Sequence, residues 1–327
     1  MKVQELRQLM SKADREHLEK AFVESYKQIR KAQKEEIDPI LIDILEGKTI
    51  EKKKKEEKLS FEELEQQINA FIENAYAQNY FAPNKVIPKN QRPKWRFLVK
   101  NFIKELEKIT VESYDYLKAV KLLTDLYRLI CHACDYYLFS TEDPFRSIGW
   151  EQPDLFGLLV KKTFAAGYTR EDISHLLLCA CTGGLSRESL YIVQEMILLG
   201  ELETNDVKYM AVEEAKKLVD ERTGKLAGLK KYDSKRFSLE EAVNELCGMV
   251  LLITIALGEA EQGIDYYFKR SREEDKEILL YCALERVDCM ERDDLWLKVY
   301  EYGVRKKIKP RKELKEEYEK RKSQMIS

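Results

Sequence analysis

Histidine is scarce in this chain: His17, His132 and His175 are the only imidazoles in 327 residues. Any Ser–His or Cys–His nucleophile must therefore use one of these three. No G-x-S-x-G elbow, phosphate-binding P-loop or G-x-G-x-x-G fingerprint occurs, which removes the enzyme classes that depend on them. Strand-like alternation is nearly absent. No long hydrophobic run exists either. The most apolar stretch, 243–257, is interrupted by Asn244, Glu245, Gly248 and Thr254 and is short of the roughly 20 residues a bilayer span needs. It reads as a central buried helix. The N-terminus mixes charged and apolar residues without the continuous apolar core of a secretory signal. Proline is missing between Pro153 and Pro310, leaving room for uninterrupted successive helices.

Charge of one sign is also lacking. Lys and Arg number 57 against 59 Asp and Glu, so the global field predicts neither a nucleic-acid nor an acidic partner. The seven cysteines are an odd number set inside apolar helical patterns, which suits reduced thiols better than a disulfide framework and predicts a cytoplasmic protein.

What the sequence has in abundance is helix periodicity. Apolar residues recur at three- and four-residue spacing, as in Phe61, Leu64, Ile68, Phe71, Ile72 and Tyr76, forming one stripe. Hydroxyl residues followed three positions later by an acid punctuate the chain at Ser11/Asp14, Ser60/Glu63, Thr169/Asp172, Ser238/Glu241 and Ser271/Glu274, each read as a capping box. The fold class expected is all-α, either an irregular multi-helical bundle or stacked antiparallel helical hairpins resembling a solenoid. Helices are predicted over 3–33, 36–46, 60–79, 93–109, 112–139, 153–166, 169–182, 186–199, 205–222, 238–257, 259–270, 272–289, 292–307 and 310–325. A helical region, 1–139, with a charged linker near 47–59 (EKKKKEEK at 51–58), is expected to precede a helical-hairpin domain, 154–327. The aperiodic segment 140–154, with two prolines and a glycine, is the predicted boundary.

Candidate sites are few. Segment 85–108 carries eight basic residues against Glu105 and Glu107. Lys85, Lys89, Arg92, Lys94, Trp95, Arg96 and Lys100 in a proline-bounded loop entering a helix combine cations with an aromatic platform, a composition suited to phosphate contact and base stacking. The alternative is a solvated amphipathic face with Trp95 in the core stripe. Segment 305–322 is also basic, whereas 240–300 is acidic, with 15 acids against seven basic residues.

Cys131 and Cys134 share a helix face and offer half of a tetrahedral zinc site, with His175 as a further weak candidate; packing as small hydrophobes is the alternative. Asp14-x-x-His17 and Asp172-x-x-His175 have the carboxylate–histidine spacing of di-iron helices, yet both acids are already placed in capping boxes. No catalytic residue is assigned, and no metal or other cofactor is expected. The function expected is a non-enzymatic helical scaffold or adaptor for a protein or peptide partner. RNA or DNA binding through 85–108 is the first alternative, and a helical enzyme or metal protein the second.

Overall fold

The computed structural model describes residues 3–29, 31–47 and 60–326, and the charged run 51–58 lies outside them. It is all-helical, 73% helix, with sixteen α-helices and no strand among the described residues. The chain forms two compact units, Met1–Ser60 and Phe61–Ser327. None of the described helices is long and apolar enough to cross a membrane.

The first unit holds α1 (Val3–Met10), α2 (Arg15–Lys27) and α3 (Lys31–Leu45). The single helix expected over 3–33 is broken at Asp14, whose carboxylate leaves the helical path to accept the His17 backbone N–H. The Tyr26 hydroxyl donates to Asp38, tying α2 to α3. No residue of α2 is buried.

The second unit contains α4 (Phe61–Tyr76), α5 (Trp95–Glu107), α6 (Tyr116–Asp135), α7 (Pro144–Ile148), α8 (Gln152–Ala165), α9 (Arg170–Thr182), α10 (Tyr191–Glu201), α11 (Asn205–Ala227), α12 (Ser234–Ala256), α13 (Ala260–Arg270), α14 (Lys276–Asp288), α15 (Asp293–Arg305) and α16 (Lys312–Ile326). Segment 140–154 lies inside this unit. It carries α7, started by the Asp143 carboxylate, which packs against α5 and α6. From α8 onward, helices pack on neighbours one to three places along the chain: α8 on α10, α9 on α11 and α12, α12 on α13 and α14, and α14 on α15.

The apolar run read as a central helix is α12. It touches α9, α10, α11, α13 and α14, and every residue from Leu246 to Ile255 is buried. Each polar interruption of that run has a partner. The Asn244 side-chain oxygen accepts the Arg272 backbone N–H at 2.6 Å, and the Thr254 hydroxyl donates to the carbonyls of Val250 (2.7 Å) and Leu251 (3.0 Å). Glu245 and Gly248 together seat the Arg286 guanidinium.

The helix starts correct several expected caps. Thr169 does cap α9, accepting the Asp172 N–H. Ser238 lies within α12, which starts at Asp233. Ser271 ends α13, and Asp275 caps α14 by accepting two backbone N–H groups. An aspartate at the N-cap satisfies the same orphan donors as a hydroxyl, so in the expected Ser11/Asp14 box the acid is itself the cap of α2.

Candidate functional site

The residues expected to face nucleic acid are split by the fold. Trp95 is 4% exposed, and its ring lies on Phe139 with centroids 3.9 Å apart and planes 11° from parallel. It is a core residue of α5, because its position falls on the stripe with Val99, Phe102, Ile103 and Leu106. The stacking platform expected at Trp95 is therefore absent. Arg92 is half-buried and spends its guanidinium on the carbonyls of Ile87 and Asn84, both at 3.1 Å, closing the loop before α5. Lys85, Lys89, Lys94, Arg96 and Lys100 remain exposed, and Arg96 lies 5.0 Å from the ring of exposed Phe97.

The weak metal candidates also separate. Cys131 is buried, its Sγ accepting from Gln152 Nε2 at 3.5 Å, and burial raises its thiol well above the ordinary value. Cys134 contacts the Ile130 carbonyl, and burial pushes its thiol up to about 12. His175 is exposed on α9. Asp172 holds its expected capping-box place beside Thr169, whereas Asp14 is itself the N-cap of α2 in place of Ser11. Among the described residues, no three His, Cys, Asp or Glu side chains converge to hold a metal ion.

Three grooves converge elsewhere, around the loop 183–189 between α9 and α10. One of about 690 Å³ runs along Phe145, Arg146, Trp150, Gln152, Ser186 and Ser189. A second, about 310 Å³, is lined by Tyr76, Arg128, His132, Asp135, Gly183 and Gly184. A third, also about 310 Å³, lies against Cys134, Tyr136, Tyr137, Glu142, Leu185 and Arg187. The loop is the ridge they share. Segment 140–154 supplies one wall.

A buried polar network fixes this ridge. Gln152, at the first turn of α8, donates from Nε2 to the Gly184 carbonyl (2.9 Å) and accepts the Ser186 N–H at Oε1 (2.7 Å). Its amide also reaches the Tyr127 hydroxyl, which donates to Gln194 Oε1 at 2.7 Å, so α6, α8 and α10 hold the loop jointly. Gln152, Tyr127 and Gln194 are all buried, where each hydrogen bond is shielded from water. Tyr191 adds a bond from its hydroxyl to the Gly183 carbonyl at 2.8 Å. Gly184 permits the close approach. A Cβ there would lie 2.6 Å from Asp135 Oδ2 and closer still to the Cys131 carbonyl oxygen.

Beside the ridge, aromatic side chains stand in solvent at the end of α6. Tyr137 is 64% exposed and stacks on Phe81, centroids 5.7 Å apart. Tyr136 stacks on His132 at 5.6 Å, and His132 meets Tyr76 at 5.8 Å. Gln78, with φ of 57°, turns the chain after α4 and donates to the Tyr137 carbonyl at 2.8 Å. Sequence periodicity missed this candidate site. The adjacent pair Tyr136-Tyr137 just past a helix end was the available signal. Compared with protein-family models, curated proteins and solved structures, the chain shows no significant match.

Proposed function

We propose that this chain is a non-enzymatic helical adaptor that binds a protein or peptide partner on the face formed by loop 183–189, the end of α6 and segment 140–154. The observation that carries this reading is the exposed aromatic set Tyr76, Phe81, Tyr136 and Tyr137 beside a loop held rigid from below. Aromatic residues dominate binding hot spots because they bury large area at small rotamer cost, and a preformed surface avoids the entropy of ordering on contact. Arg128, Asp135, Glu142 and Arg187 on the groove walls supply the polar rim. The free thiols, four of them buried, support a reducing compartment, and we place the adaptor in the cytoplasm.

A photo-crosslinking residue at position 137 tests the reading in the native host. The expected result is one dominant protein adduct, absent when Tyr136→Ser is combined with the crosslinker and retained when the distant Lys312→Ser is. Adducts to nucleic acid alone, or none, would refute it.

A second reading, RNA or DNA binding through 85–108, keeps one supporting observation: exposed Phe97 under Arg96, among exposed lysines. Phosphate contacts would make affinity fall steeply with salt. Mobility shifts at two salt concentrations, with Lys94→Glu and Arg96→Glu variants, decide it, and binding unchanged by both substitutions sinks it.

A further inference from the structure

One residue beyond Gln194, α10 meets α12 and α14 at a buried group of charges. Glu195 on α10 is wholly buried, and Arg286 on α14 is nearly so. The Arg286 guanidinium donates from Nε to Glu195 Oε2 (3.1 Å), from one terminal nitrogen to Glu195 Oε1 (3.4 Å) and to Glu245 Oε2 of α12, and from the other to the Cys282 carbonyl at 3.4 Å. One cation thus faces two carboxylates, and the charge of Glu195 opposes that of Glu245. Glu245 retains a small exposed edge toward a cleft of about 390 Å³ lined by Asn244, Arg272, Glu273, Glu274, Cys282 and Arg286.

The surroundings offer little further positive charge. Tyr267 comes from α13, Cys282 from α14, Glu195 from α10 and Glu241 from α12 itself, and Cys181 of α9 lies near the same group. Arg272 reaches only the exposed cleft mouth, shared with Glu273 and Glu274. Arg270 pairs with Asp220, and half-buried Arg222 faces Cys181. Two ionised carboxylates on a single buried guanidinium leave one negative charge uncompensated.

We propose that Glu195, Arg286 and Glu245 form a proton-gated latch joining α10, α12 and α14, closed when Glu245 carries a proton and loosened when it is ionised. Solvent protons reach it through the cleft at Glu245. Burial first, and the neighbouring Glu195 carboxylate next among the opposing effects, push the Glu245 carboxyl up to about 7 against the pull of Arg286. The folded chain therefore holds this proton more tightly than an unfolded chain. The latch contributes fully below the ordinary carboxyl value of 4.5, and its contribution is lost as pH rises from there to about 7.

Urea unfolding of the full chain and of Glu245→Gln, measured between about pH 5 and pH 8, tests the latch, because the amide keeps the shape and removes the titration. Relative to Glu245→Gln, the wild-type unfolding equilibrium constant should rise by up to about tenfold per pH unit below pH 7 and then level off. Parallel profiles would overturn the proposal. Should Glu245→Gln not fold, infrared spectroscopy of the wild type decides. A protonated carboxyl band must persist above about pH 6, also in Glu241→Gln and Asp135→Asn, the other carboxyls raised by burial, and vanish by about pH 8. Its absence at pH 6 refutes the latch.

Discussion

Replacing Gly248 by alanine in the middle of α12 sets two opposing effects against each other, and the structure decides the sign. Helix propensity alone favours alanine by about 1 kcal/mol at an interior position. A Cβ at 248, however, would lie 2.6 Å from Arg286 Cζ and 2.9 Å from Cδ, and closer still to Nε. These atoms are not the free end of a mobile side chain. They belong to a buried guanidinium held by Glu195 and Glu245, so accommodating the methyl means withdrawing Arg286. Breaking a buried ion pair costs about 3–5 kcal/mol because a charge is left without its partner. The net expectation is a destabilisation of about 2–4 kcal/mol once propensity is subtracted. Urea unfolding followed by circular dichroism measures it, with Gly224→Ala as the control. Position 224 lies in α11 with nothing within 4 Å of the added methyl, so that variant should gain up to about 1 kcal/mol. A Gly248→Ala protein as stable as wild type, or more stable, would refute the reasoning and with it the seat assigned to Arg286.

Two further substitutions probe the core and the ridge. Trp95→Ala should cost about 3–5 kcal/mol in unfolding free energy, since it empties a stacked core position against Phe139; a loss under about 1 kcal/mol would return Trp95 to the surface. Gln152→Leu leaves the Gly184 carbonyl and the Ser186 N–H without their partner, at about 1–3 kcal/mol for each stranded group, and should accelerate hydrogen exchange at residues 183–187; unchanged exchange there would show that the loop is held by other contacts.

Much of the helical architecture was legible because it follows from local rules. The 61–76 stripe, the buried 243–257 run and the Thr169 cap each depend on residues three or four positions apart. The start of α12 was misplaced for the same local reason, since Asp233 and Ser238 are both chemically competent caps, and it is Asp233 that accepts a first-turn N–H, from Lys235. Segment 140–154 read as a boundary because proline and glycine interrupt periodicity there. Interruption says nothing about whether a loop is covered, and this one is built into a groove wall beside α6. The candidate face was illegible because its parts come from α4, α6, segment 140–154 and loop 183–189, remote in sequence.

By itself the sequence determined that the chain is helical, that it lacks the common catalytic motifs and that its cysteines favour a reduced state, since periodicity, composition and short-range spacing carry those properties. Only the tertiary structure decided that Trp95 faces inward, that Gln152 supports a rigid loop and that Arg286 holds two carboxylates at once. Burial and charge pairing arise between side chains tens of residues apart, and one-dimensional spacing has no means of bringing Glu195, Glu245 and Arg286 together.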